Sequence, residues 1–174
     1  CAADFMMQIK PGNAVSNLSS SRALRDLCAR KNLGYFASPV GEVHVVKKMK
    51  ETNACIGGEG NGGIILPDLH YGRDSLVGIA LILSNMCHQN KSLSQLKESY
   101  PTYFMHKDKI KLDADLKYTE LLNYLQKEFQ KEQLNFEDGM KIDFEESWIH
   151  LRKSNTEPII RIYTEAKTSA EAEK

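Results

Sequence analysis

The sequence carries no surplus of either charge: 23 lysines and arginines stand against 23 aspartates and glutamates. A general nucleic-acid binder shows a basic excess, so the balance argues against that partner, though not against a local basic pocket for one small anion. Long apolar runs are also missing. The longest, around Leu76 to Leu83, is far too short to span a bilayer, and no signal-peptide pattern is legible. We therefore expect a soluble, cytoplasmic protein with no membrane partner. Cysteine is sparse: Cys1, Cys28, Cys55 and Cys87 contain no Cys-x-x-Cys pair. Neither a zinc site nor a redox motif is written there, and reduced thiols are the expectation. His44, His70, His88, His106 and His150 do not pair with other ligands at metal spacing. Asp113 and Asp115 suit a helix cap better than a metal, and no serine sits in an evident nucleophile motif.

What is present is enough for a core. Apolar residues are 41% of 174, room for one ordinary domain or two small ones. The pattern predicts a helix over 1–10, ended by Pro11-Gly12, and a strand over 14–18. Ser19-Ser20-Ser21 offers a cap for a helix over 22–31, whose buried face is Leu24, Leu27 and Cys28. A strand at 35–37 follows, then a helix over 41–50 with Val43, Val46 and Met49 on one side. Further strands are expected at 54–56 and 64–66. Asp74 caps a helix to about His88 that is apolar nearly all round, so it should be buried between layers. This alternation implies a three-layer α/β domain with a mixed, largely parallel sheet. Such sheets bind ligands at the carboxyl ends of their strands.

After Ser92-Leu93-Ser94 the character changes. The lysine-rich stretch 101–111 looks like a crossing between domains. An amphipathic helix is expected over 115–131, with Tyr118, Leu121, Leu122, Leu125 and Phe129 at helical spacing. Strands then dominate: Met140, Ile142 and Phe144 alternate, Trp148 to Arg152 goes out, and Ile159 to Glu165 comes back. This second unit reads as a smaller α+β domain with an antiparallel sheet. A final helix begins at Thr168. Both ends read as helices cut short, so we expect a piece of a longer chain.

Two loops carry chemistry. In Gly57-Gly58-Glu59-Gly60-Asn61-Gly62-Gly63, glycine lets the backbone turn and approach a ligand closely. Glu59 accepts hydrogen bonds from hydroxyls and Asn61 both donates and accepts, which suits neighbouring hydroxyls on a sugar ring. Gly58, Gly60 and Gly63 also fit G-x-G-x-x-G, but Glu59 would repel a pyrophosphate and no long helix follows directly. A tight strand connection without a ligand is the competing reading. In Arg152-Lys153-Ser154-Asn155-Thr156-Glu157-Pro158, followed by Arg161, hydroxyls, an amide and cations converge between two strands. A phosphate accepts from all of them, while a polar hairpin turn explains the same residues without a ligand. Glu42, in Pro39-Val40-Gly41-Glu42, is a candidate for proton transfer or a substrate hydroxyl, against the plainer role of a carboxylate favoured at a helix start.

Taken together, these loops resemble those of the α-D-phosphohexomutases. The phosphate loop of that family typically reads R-x-S-[GN]-T-E-P with an arginine shortly after, and its sugar loop commonly reads G-E-x-S-G-H. Leu18-Ser19-Ser20-Ser21 with Leu24, Val40-Gly41-Glu42 and the apolar helix after Asp74 also match, so the resemblance covers nearly the whole chain. Four departures stand out: Asn61 for the usual serine, Gly63 for the usual histidine, Ser75 where a glycine often follows the aspartate, and Glu42 where some members have histidine or aspartate. The G-E-G-N-G-G form resembles a subgroup called phosphoglucosamine mutases or phosphomannomutases, which leaves the sugar open.

The resemblance implies a four-domain enzyme, of which residues 1–100 are the third domain and 101–174 the fourth. It implies that Glu59 and Asn61, with Gly60 and Gly62 beside them, bind the sugar. Arg152, Ser154, Asn155, Thr156 and Arg161 would hold the phosphate that is not being transferred. The intact enzyme would interconvert hexose 1- and 6-phosphates (mannose, glucose or glucosamine) through a phosphoserine in domain one and a bisphosphate intermediate. Its Mg²⁺ would be held by an aspartate cluster in domain two. Neither the serine motif nor that cluster occurs in this sequence, so this chain is expected to supply recognition without catalysis or a cofactor of its own. Its partners would be the hexose phosphate and domains one and two. A stand-alone sugar-phosphate-binding module is the alternative.

Overall fold

The computed structural model describes residues 1–111, 118–154 and 156–173. The chain divides into two compact units, Cys1–Thr102 and Tyr103–Lys174.

The first unit runs α1 (Ala2–Ile9), β1 (Ala14–Asn17), α2 (Ala23–Arg30), β2 (Tyr35–Ser38), α3 (Glu42–Thr52), β3 (Ile56–Gly58), β4 (Ile64–Ile65), α4 (Ser75–Gln89) and α5 (Leu93–Glu98). Its sheet has the order β2-β1-β3-β4, with β1 parallel to β2 and β3, and β4 antiparallel. Neighbouring strand residues point to opposite faces, and the packing follows that rule. Ala14 and Ile56 meet Met6 and Met7 of α1 and Leu27 and Cys28 of α2. Val15, next along, meets Val45 and Met49 of α3. Helices thus cover both faces.

Several expectations shift. The third strand begins at Ile56, later than expected, and takes in Gly57 and Gly58. A Cβ at Gly57 would collide with the Met49 sulfur, so the bare glycine strand gives the Met49 side chain of α3 the place it occupies. On α3 the inward residues are Val45 and Met49, whereas Val43 is exposed. The sheet selects that face, and the 43-46-49 spacing could not. Arg22, not a serine, occupies the N-cap of α2 and makes no side-chain cap bond, while Ser21 Oγ accepts from Ala23 N at 3.2 Å.

Asp74 does cap α4, accepting from Leu76 N at 2.8 Å and Val77 N at 3.1 Å. Burial of α4 between layers does not hold: Leu76, Ile79 and Leu83 are exposed, and only Gly78 and Asn85 are buried. Apolarity announces a face that favours cover, but tertiary packing decides which face receives it. No helix among the described residues is long and apolar enough to cross a membrane.

The second unit contains β5 (Phe104–Lys111), α6 (Tyr118–Glu128), β6 (Gln133–Asn135), β7 (Met140–Asp143), β8 (Trp148–Lys153), β9 (Ile159–Ala166) and α7 (Ser169–Ala172). The sheet is antiparallel throughout, in the order β5-β9-β8-β7-β6. The stretch expected as a crossing is therefore strand β5, paired with β9 along its full length. Its lysines are the ordinary dress of an edge strand, where charge discourages pairing with another chain. On α6, Tyr118, Leu121, Leu122 and Leu125, with Phe129 just beyond, form the half-buried stripe that their spacing predicts. Asp113 and Asp115, the expected start of that helix, lie outside the described residues. Trp148 is fully buried, donates from Nε1 to Glu165 Oε1 at 2.8 Å, and carries Lys141 Nζ 4.2 Å above its ring.

Candidate functional site

Strands β1, β2 and β3 run parallel, so Asn17, Ser38 and the loop after Gly58 share one edge of the first unit. The loop is a tight hairpin: Glu59 N donates to Gly63 O at 3.1 Å, and Gly62 N donates to Glu59 O at 3.1 Å. Glu59 has an inward-turned side chain, 7% exposed. Its Oε1 accepts from Asn17 Nδ2 at 3.0 Å and Gly41 N at 3.2 Å, and its Oε2 from Arg73 NH1 at 3.3 Å. Asn17 is itself fixed, since Ser20 Oγ donates to Asn17 Oδ1 at 2.8 Å. Gly60 lies close over this turn, where a Cβ would come within 3.2 Å of Ser20 Cα. Asn61 Oδ1 accepts from Gly63 N at 3.2 Å, which leaves the amide nitrogen as the end Asn61 can offer to a ligand. Gly62 is exposed at the tip.

Glu42 begins α3 beside this loop. Its Oε1 accepts from Arg73 N at 3.1 Å and its Oε2 from Arg73 Nε at 2.8 Å. The backbone N–H and then the guanidinium of Arg73 hold the Glu42 carboxyl below its ordinary range. Glu42 thus stays ionised at neutral pH and is equipped to accept hydrogen bonds rather than deliver a proton. The structure brings Glu42 and Glu59 to one arginine.

In the second unit, Arg152 near the end of β8 lies directly opposite Arg161 of β9, and Arg161 lies directly opposite Lys109 of β5. Directly opposed residues share a sheet face, so three cations stand in one row, an arrangement that is destabilising unless negative charge joins it. Two carboxylates supply some: Asp138 Oδ2 is 3.8 Å from Arg152 NH1, and Glu157 Oε2 accepts from Arg161 NH2 at 2.9 Å. Arg152 Nε remains buried with no hydrogen-bond partner among the described residues. A buried donor left so costs about 1–3 kcal/mol. Beside this row, Ser154 is buried and Ser154 N donates to Ile159 O at 2.9 Å. Thr156 N donates to Ser154 Oγ at 3.4 Å, and the two hydroxyls are 3.5 Å apart. Asn155, the remaining candidate, lies outside the described residues.

Sequence reasoning missed Asn17, Arg73 and Lys109. Asn17 and Arg73 lie 42 and 14 residues from Glu59, so no local spacing ties them to it. Lys109 is read as a surface lysine until the strand register is known. Among the described residues, no three His, Cys, Asp or Glu side chains come together as metal ligands, and the chemistry below uses no metal.

Residues 1–103 match the model for phosphoglucomutase/phosphomannomutase alpha/beta/alpha domain III, and residues 107–174 match that for the phosphoglucomutase/phosphomannomutase C-terminal domain. A phosphoglucomutase/phosphomannomutase of Thermococcus kodakarensis is 34% identical over 92% of this chain and 35% of its own length. A phosphoglucosamine/phosphogalactosamine mutase of Sulfurisphaera tokodaii is 33% identical over 88% of this chain and 34% of its own. The chain thus spans about a third of the curated relatives it matches. Among solved structures, a phosphoglucomutase/phosphomannomutase family protein of Burkholderia thailandensis has the same fold. Its TM-score is 0.80 at 22% identity, covering 98% of this chain and 37% of that one.

Proposed function

The chain belongs to the phosphoglucomutase/phosphomannomutase family, and from that premise we propose that it supplies substrate recognition to a phosphohexomutase, with one unit reading sugar hydroxyls and the other holding a phosphate ester. The observation that carries the reading is the opposed pair Arg152 and Arg161, with a buried N–H on Arg152 that has no partner among the described residues. A phosphate oxygen accepts that hydrogen bond, and the phosphate charge relieves the repulsion. Arg152 and Arg161 act as charged donors, and Ser154 and Thr156 as neutral ones. Asn155 completes the set by the sequence motif. In the first unit, Glu59 Oε2 and Glu42 act as acceptors for ring hydroxyls, and the Asn61 amide as a donor. The backbone of Gly60 and Gly62 allows the sugar to come close.

Phosphoryl transfer itself requires a group to carry the phosphoryl, and this sequence contains no matching serine motif. We therefore assign binding, not turnover, to this chain alone. Magnesium and a phosphoserine belong, by the family resemblance, to the longer enzyme, and no residue here is assigned to either. Mutase turnover by the purified chain would refute this division.

The reading is tested by NMR titration with inorganic phosphate, glucose 6-phosphate, mannose 6-phosphate and glucosamine 6-phosphate. Shifts around Arg152 to Arg161 are expected with all four, and shifts around Glu59 to Asn61 with sugars only. Arg152→Ala should weaken phosphate binding by about 2–3 kcal/mol, the contribution of a charge-assisted pair. Unchanged affinity in that variant would remove the role assigned to Arg152.

A further inference from the structure

Arg73 reaches two carboxylates that sit on different elements. Its Nε donates to Glu42 Oε2 at 2.8 Å, its backbone N to Glu42 Oε1 at 3.1 Å, and its NH1 to Glu59 Oε2 at 3.3 Å. Glu42 belongs to α3 and Glu59 to the β3–β4 hairpin, so the arginine ties a helix start to a loop, alongside the Gly41 N–H that donates to Glu59 Oε1 at 3.2 Å. The planar fork lets separate nitrogens of one guanidinium, Nε and NH1, serve the two carboxylates, whereas a lysine ammonium would have to reach both from a single nitrogen. The Arg73 side chain remains 45% exposed, so it stands at the mouth of the site rather than in the core.

The hairpin leaves room for it. A Cβ on Gly63 would lie 2.7 Å from Arg73 Cδ and 3.1 Å from Arg73 Cγ. The space a side chain at Gly63 would fill is occupied by the arginine stem. The position of Arg73 is held as well: the next residue, Asp74, accepts from two backbone N–H groups of α4 and lies 3.1 Å from His70 Nε2. A rigid helix start therefore presents the guanidinium to the loop.

We infer that Arg73 is a positioning residue of the sugar site, drawing Glu42 and Glu59 into one bridged pair of acceptors whose spacing selects the hydroxyls that bind. The inference rests on the sugar-binding reading of the Glu59 loop. It adds a residue outside that loop as the one that sets the loop's selectivity.

The test compares the native chain with Arg73→Met and Gly63→Ala, using glucose 6-phosphate, mannose 6-phosphate and inorganic phosphate as probes and NMR as the readout. Arg73→Met should keep the shifts at Ser154 and Thr156 with every probe and lose those at Glu59 and Asn61 with the two sugars. In the same variant the Glu42 carboxyl should titrate at higher pH than in the native chain, which reports that the bridge is broken, and an unchanged melting temperature beside the lost sugar-loop shifts separates positioning from a merely structural role. Gly63→Ala, which keeps the arginine in the chain but displaces its stem, should reproduce the loss and so guards against a folding defect in Arg73→Met. A lowered melting temperature with native sugar-loop shifts in both variants overturns the inference alone. A native chain with no sugar-loop shift overturns the inference and the sugar-binding reading together.

Discussion

Arg152 and Arg161 face each other across adjacent antiparallel strands, one residue directly opposite the other. Like charges in that register destabilise a sheet, by up to about 1 kcal/mol on the scale of cross-strand pairs. Each arginine has a carboxylate within reach, and Arg161 holds the closer one, Glu157 at 2.9 Å. The unit thus keeps its cations in place with side chains that a phosphate would have to displace or share.

Glu157→Gln should therefore strengthen phosphate binding. The Glu157 carboxylate is about half exposed, and such a pair contributes about 0.2–1 kcal/mol. Freeing Arg161 should tighten inorganic phosphate by roughly two- to fivefold in calorimetric titration. Weaker binding would mean that Glu157 orders the loop rather than competing with the ligand.

Lys109 completes the cation row opposite Arg161. It is exposed, so its contribution is long-range and screened. Lys109→Ala should raise the phosphate Kd about two- to threefold at low salt, and the difference should vanish near 1 M salt. An equal effect at both salt concentrations would indicate direct contact instead.

Gly139 precedes β7 with φ at +77°, and a Cβ there would lie 2.8 Å from Tyr118 OH and 2.9 Å from Arg152 Cα, besides colliding with the Leu151 carbonyl. Gly139→Ala combines a left-handed backbone with an immovable neighbour. It should destabilise the second unit by at least about 1–2 kcal/mol. The single tryptophan, Trp148, lies in that unit, so its fluorescence in urea reports the loss.

His150 is buried, and Nε2 donates to the Asp138 carbonyl at 2.7 Å, which sets the neutral tautomer. Burial holds its pKa below the ordinary value of about 6.5. From about a unit above pH 6.5 neither state binds the proton appreciably, and the group adds almost no pH dependence. Below it the unfolded chain takes the proton and the folded chain resists, so stability falls with acid until the pH passes the folded pKa. The slope is at most about 1.4 kcal/mol per pH unit. Urea midpoints read from Trp148 between about pH 5 and 7 should show this slope in the native chain and a flatter one in His150→Gln.

Much of the fold was legible because its signals are local. Asp74 as a cap, the stripe from Tyr118 to Phe129, and the outgoing and returning strands, expected over 148–152 and 159–165 and each one residue longer in the fold, follow from spacing and turn chemistry alone. The failures share one cause. Val43 and Val45 are equally apolar, and only the position of the sheet sends Val45 inward. The apolar α4 promised burial, yet which of its faces is covered depends on what packs there. The lysines of 101–111 concealed a strand because charge on an edge and charge in a linker look alike in one dimension.

At the candidate sites, the sequence by itself determined the chemistry: a glycine hairpin with one carboxylate and one amide, and a strand-to-strand loop with hydroxyls between arginines. Those are properties of residues adjacent in the chain, and backbone preference and donor inventory suffice to read them. Only the tertiary structure decided the partners. Arg73 meets Glu42 from 31 residues away, and Arg152 faces Arg161 instead of Ile160 because the strands pair in one register. Register and packing are set by the sum of many weak contacts over a whole unit, so no single motif can announce them.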